Sequence, residues 1–190
     1  MEQVAARSIM NLLFGVALLT SGCRDRALPI PNSISDEEYS VYSAWIKHHF
    51  REQPPRLLLA RHTFIFDPLS SQGCNPKELE AQAEVSLSLL RSLHTLGEAE
   101  YPLRTDKFQQ REFKIPWKYE ESEGLPTADP SRPFRLIAFS RVAFNRDRSK
   151  AFFAVSNSCG GLCGGGGPLV AIRKEREWAF RPELGCYWVY

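Results

Sequence analysis

The chain has 190 residues, 43% hydrophobic and 24% charged, a composition that fits an ordinary globular domain and excludes a disordered or fibrous protein. Its 24 Lys and Arg against 22 Asp and Glu leave a net charge of +2, far from the strongly basic surface that neutralising a nucleic-acid backbone requires. A chain of this length builds one core, and two independent domains would be cramped.

Residues 9–19 are apolar except for Asn11, a span too short to cross a bilayer core and suited to the hydrophobic region of a secretion leader. Residues 1–22 are therefore expected to be a signal peptide. The segment closes on Leu19-Thr20-Ser21-Gly22-Cys23, which resembles the lipobox of bacterial lipoproteins. That resemblance implies that Cys23 is diacylated and becomes the new amino terminus. The alternative is an ordinary cleaved leader with Cys23 free or disulfide-bonded. Residues 23–33, with Pro29 and Pro31, read as the lipidated cysteine and an extended tether, leaving 34–190 as a single domain.

Ser35 and Glu38 form a capping box, Ile34 and Tyr39 stand at hydrophobic-staple positions, and Tyr39, Tyr42, Trp45, Ile46 and His49 recur at helical spacing. The pattern predicts a helix from Asp36 to about Phe50, stopped by Pro54-Pro55. Arg56 to Phe66 reads as a strand. Asn75-Pro76 opens a second helix with Glu78 at the capping-box site, a stripe of Leu79, Ala83, Leu87, Leu90 and Leu93 or His94, and Gly97 as its end. A short strand is expected at 113–115, and 120–133, with three prolines, as an exposed connection. Strands follow at 134–144, 150–158, 169–174 and 178–180, with a further one possible at 186–190. Short polar turns between them predict an antiparallel meander, because parallel pairing needs long crossovers. The expected fold is α+β: an antiparallel sheet of about five or six strands with two amphipathic helices packed on one face.

Five cysteines are an odd number for a secreted domain. Assigning Cys23 to lipid leaves Cys74, Cys159, Cys163 and Cys186, which form two bridges in an oxidising compartment with three possible connectivities. The favoured pairing is 159–163 with 74–186.

The run Cys159-Gly160-Gly161-Leu162-Cys163-Gly164-Gly165-Gly166-Gly167 lacks the Lys and Ser or Thr of a phosphate-binding loop, and Pro168 follows where a helix would have to start. Three residues separate its cysteines where thioredoxin-like sites have two, and no further Cys or His pair completes a zinc set. The reading is a disulfide-pinned turn, with no metal and no cofactor. His48 and His49 point to different faces of their helix, and His62 and His94 stand apart in sequence. No Gly-x-Ser-x-Gly elbow is present. Glu120, Glu121 and Glu123 sit in a polar stretch with no sign of a cleft. Arg146, Arg148 and Lys150, and Arg173, Lys174 and Arg176, cluster at two turns and read as solvated hairpin ends, with a basic edge as the alternative. Trp117, Tyr119, Trp178, Tyr187 and Trp188 are read as core, or as the floor of a ligand groove. No catalytic residue is assigned.

The run Ser140-Arg141-Val142-Ala143-Phe144-Asn145, then Ala151 to Ser156, the Cys159–Gly167 run and Trp178 resemble a pattern of uncharacterised bacterial envelope proteins and predicted lipoproteins, over roughly the last third of the chain. The resemblance implies a strand and turn at 142–145, a hairpin tip at Cys159 and Cys163, a core Trp178, and no particular activity. The expected function is a non-enzymatic, exported protein of the bacterial envelope, lipid-anchored on the periplasmic or outer side, binding another envelope protein or a wall component, with no nucleic-acid partner. The alternative is an envelope hydrolase or thiol-redox enzyme with an unidentified site.

Overall fold

The computed structural model describes residues 32–50, 56–70, 75–111, 115, 119–123, 133–160, 163–181 and 186–189. The leader, Cys23, Pro54-Pro55, Cys74, Trp117 and positions 113–114 and 124–132 lie outside the described residues.

The first helix, α1 (Asp36–His49), forms as its caps dictate: the Ser35 hydroxyl accepts from the Glu38 amide, and the Glu38 carboxylate accepts from the Ser35 amide. Ile34 and Tyr39 are both buried in one cluster, as the staple requires. The second helical pattern forms two helices, α2 (Pro76–Ala83) and α3 (Leu87–Leu96). Glu84 turns left-handed (φ 49°), Val85 inserts into the core, and the Ser86 hydroxyl caps α3 by accepting from the Leu89 amide. That break rotates the stripe, so Leu79, Leu89, Leu90 and Leu93 are buried while Leu87 is exposed. A 3₁₀ turn follows at Thr105–Gln109 and buries Phe108.

The strands are β1 (Leu57–Ala60), β2 (Tyr119–Ser122), β3 (Arg135–Phe139), β4 (Ala143–Phe144), β5 (Lys150–Gly160), β6 (Cys163–Lys174), β7 (Glu177–Phe180) and β8 (Trp188–Val189). They make one sheet in the order β2-β1-β3-β5-β6-β7, with β4 beside β5 and β8 beside β6. The sheet is mixed. From β3 through β7 it is the antiparallel meander the turns predict, but β1 pairs in parallel with both β3 and β2. The chain between β1 and β2, residues 61–118, carries α2 and α3 and supplies the long crossover that parallel pairing demands. Residues 120–122, expected as the start of an exposed connection, belong instead to the edge strand β2.

The helices do not share one face. Alternate residues of β5 point to opposite sides: Ala151, Phe153 and Val155 pack with Tyr39, Tyr42, Trp45 and Ile46 of α1, whereas Phe152 and Ala154 pack with Leu89, Leu90 and Leu93 of α3. A central sheet covered on both sides explains why β5 is an almost continuous apolar run, with no polar face to alternate.

Candidate binding site

The glycine run is the feature that shapes the surface. Its second half is strand, not turn: Gly164–Gly167 belong to β6 and pair with Val155–Ser158 of β5. On the other side Gly165 and Gly166 pair with Val189 and Trp188 of β8. A Cβ at Gly166 would stand 2.7 Å from Trp188 Cζ2, and one at Gly167 only 2.6 Å from the Cys186 carbonyl oxygen. The missing side chains let two aromatic residues near the chain's end lie across β6, Tyr187 on the α1 face and Trp188 of β8 on the opposite face against Phe64 and Phe66.

A small cavity of about 50 Å³ opens above these glycines on the α1 face. Trp45 and His49 of α1 form one wall, Tyr187 the other, and Val155, Leu169 and the glycine backbone the floor. The Trp45 indole stacks on the His49 imidazole with centroids 4.5 Å apart and planes 15° off parallel. Asn157 on β5 places its Nδ2 3.5 Å from His49 Nε2, and its Oδ1 is sealed from solvent with no hydrogen-bond donor among the described residues. A buried acceptor left without a donor costs about 1–3 kcal/mol. The slot therefore combines aromatic walls with an amide side chain whose oxygen has no donor among the described residues.

The predicted cysteines divide. Cys159 and Cys163 are bridged across the β5–β6 tip with Cα atoms 5.2 Å apart, and Gly160 between them takes φ 86°. Arg135 Nη1 lies 3.6 Å from Cys163 Sγ. Cys186 is buried at the junction of the slot and the α3-side core. Its expected partner Cys74, and Cys23, lie outside the described residues.

His94 meets Asp67, Nδ1 to Oδ1 at 2.8 Å, while Asp67 also accepts from the Leu69 amide and the Ser70 hydroxyl. Desolvation pushes the Asp67 carboxyl up, but the bonds from Ser70, Leu69 and His94 outweigh it and hold the group below its ordinary value of 3.8. In a hydrolase triad the imidazole stands between acid and hydroxyl. Here the carboxylate stands in the middle, so His94 is not placed to take the Ser70 proton. Because the folded value is the lower one, Asp67 adds stability that is fully present above its unfolded value and lost as pH falls through the folded one. We expect Asp67→Asn to flatten the loss of stability below about pH 4 in urea titrations; an unchanged acid limb would refute this.

His62 is exposed in an isolated bridge with Pro102, and the helix places His48 and His49 on different sides, His49 in the slot. Glu120 pairs with Arg56, and Glu121 and Glu123 with Arg61, so those carboxylates are neutralised along an edge and line no cleft. Of the aromatic residues, Trp178 is core, Tyr187 is the exposed slot wall, and Trp188 packs on phenylalanines. Among the described residues no three metal-ligating side chains converge, and no helix is long and apolar enough to cross a membrane.

Sequence reading missed the most buried charges in the described structure. Arg141 donates from Nε to Glu38 Oε1 at 2.8 Å and from Nη2 to Oε2 at 3.2 Å, and its guanidinium lies 4.3 Å from the Tyr101 ring centroid. The Val142 amide donates to the same carboxylate at 3.2 Å. Beside it, Tyr42 donates its hydroxyl to the Ser140 carbonyl at 2.8 Å. Burial pushes that phenol well above its usual value, so it stays a donor at any physiological pH. The run Ser140-Arg141-Val142 is thus a buried staple between α1 and the sheet. Against protein-family models, curated proteins and solved structures, the chain matches none.

Proposed function

We propose that the protein is an exported, lipid-anchored component of a bacterial envelope that binds a wall component or another envelope protein without chemical turnover. The observation that carries the binding role is the slot at Trp45, His49, Asn157 and Tyr187, where aromatic walls surround an unsatisfied acceptor. A space of about 50 Å³ takes a small uncharged group bearing an N–H or O–H, such as one substituent of a sugar or an amide. Export is supported by the leader pattern before Cys23 and by the Cys159–Cys163 bridge, which persists in an oxidising compartment.

Titrating the protein with soluble wall fragments should shift the indole resonance of Trp45, and Asn157→Ala should abolish the shift. No shift with any fragment, or one indifferent to Asn157, would remove the slot from the proposal. For the anchor, Cys23→Ser should give an uncleaved or soluble product, whereas unchanged processing and membrane retention would refute lipidation. The second reading, an envelope enzyme, rests on the His94–Asp67 pair alone, with Ser70 not its nucleophile. It would replace the first if the protein turned over a substrate from a hydrolase or thiol-oxidoreductase panel and lost that turnover on one substitution.

A further inference from the structure

We infer that a second site, the groove between the latter half of α1 and the β6–β7 hairpin, binds a phosphate-bearing anion. The groove is lined on the helix by Ser43, Lys47 and His48 and on the hairpin by Arg173, Arg176 and Trp178. It is separate from the slot, because adjacent helical residues diverge by about a hundred degrees and so His48 and His49 face different openings.

Three observations carry the inference. First, the cations are arranged unequally. Arg173 is fixed in place, its Nη2 2.8 Å from Glu37 Oε1 and its guanidinium 4.5 Å from the Trp178 ring centroid. Lys47 and Arg176, both exposed, have no carboxylate partner among the described residues. Glu177 is the carboxylate that also lines the groove, and Glu37, shared between Arg148 and Arg173, is already neutralised. The balance within the groove is therefore positive.

Second, Ser43 is 2% exposed and its hydroxyl makes no hydrogen bond among the described residues. A serine inside a helix ordinarily donates back to the carbonyl three or four residues earlier. Ser40 of the same helix does so, to Glu37, and Ser92 of α3 does so, to Ser88. Ser43 does not, which leaves a buried donor beneath the cations with nothing to receive it. Third, the Trp178 indole is locked by donating Nε1–H to Ser40 Oγ at 2.9 Å, so the floor under Arg173 is rigid. Several cations around one hydroxyl donor suit a multiply charged oxyanion better than a single carboxylate.

The test titrates the full chain in neutral detergent with inorganic phosphate, with glycerol phosphate, and with micelles doped with phosphatidylglycerol or phosphatidylcholine, reading the Trp178 indole resonance. Saturable binding is expected, weakened about tenfold or more by Lys47→Glu and by Arg176→Glu and unaffected by Arg91→Glu on α3, on the opposite face of the sheet. Ser43→Ala should weaken binding while leaving the melting temperature unchanged or higher, since it deletes an unsatisfied group. Preference for phosphatidylglycerol micelles over glycerol phosphate at equal phosphate assigns a lipid headgroup as the source, and equal affinity assigns a soluble ester; either supports the site. Absence of saturable binding, or loss of affinity equal in all three charge reversals, overturns it. Neither outcome bears on the slot, which is read at Trp45 and tested at Asn157.

Discussion

Arg141→Met should destabilise the protein by about 3–5 kcal/mol, lowering Tm by about 10 °C, with the native sheet retained at low temperature. Arg141 is 1% exposed and Glu38 is 2% exposed, so both charges have left water almost completely. Bringing two charges inside costs several kcal/mol per ion, and this is recovered only where every lone pair and proton finds a partner. Glu38 meets that condition: its oxygens accept from Arg141, from the Val142 amide, and from the Ser35 amide and hydroxyl. Removing the guanidinium leaves a carboxylate buried without its counter-charge, which is where most of the loss arises. The double variant Glu38→Gln with Arg141→Met should recover a substantial part, because it removes the orphaned charge as well. Equilibrium unfolding in urea measures all three proteins. A loss below about 1 kcal/mol for the single variant would mean that solvent reaches the pair.

The same pair shows what could be read beforehand. Its members lie 103 residues apart, and nothing local in Ser140-Arg141-Val142 distinguishes a buried arginine from a surface one. The start of α1 was legible because a capping box and a staple are short-range chemistry, satisfied within five residues. The β5–β6–β7 meander was legible for the same reason, its turns being only a few residues long. The parallel insertion of β1 was not, since its partners are chosen by which apolar surface remains uncovered after a long crossover. Ser86 ahead of Leu89 did carry a cap signal, but the apolar spacing ran through it and masked the break between α2 and α3. For the slot, the divergence of His48 and His49 was evident in the helical period. The role of Asn157 depends on a strand pairing and a helix end that only the fold brings together.

The glycines offer the sharpest contrast between local and tertiary reasoning, and Gly166→Val tests it. By strand propensity alone, valine in place of glycine should stabilise β6 by up to about 1 kcal/mol. The fold reverses that sign. Gly166 is closed in on both sides: a Cβ there would run against the Val155 carbonyl oxygen, and it would stand 2.7 Å from Cζ2 and 2.8 Å from Cε2 of Trp188. The indole can swing, but the Val155 carbonyl belongs to the central ladder and yields only if β5 and β6 separate. Forcing atoms into such a site costs about 1–3 kcal/mol for small increments, and a branched side chain lies at or above the upper end. We therefore expect Gly166→Val to lose at least 3 kcal/mol in chemical unfolding. Gly166→Ala should lose less, and combining it with Trp188→Ala should not restore the wild-type value, because the backbone contact persists. Increased stability in Gly166→Val would show that β8 does not lie against β6 as described. The slot wall formed by Tyr187 would then lose its support, since Tyr187 immediately precedes β8.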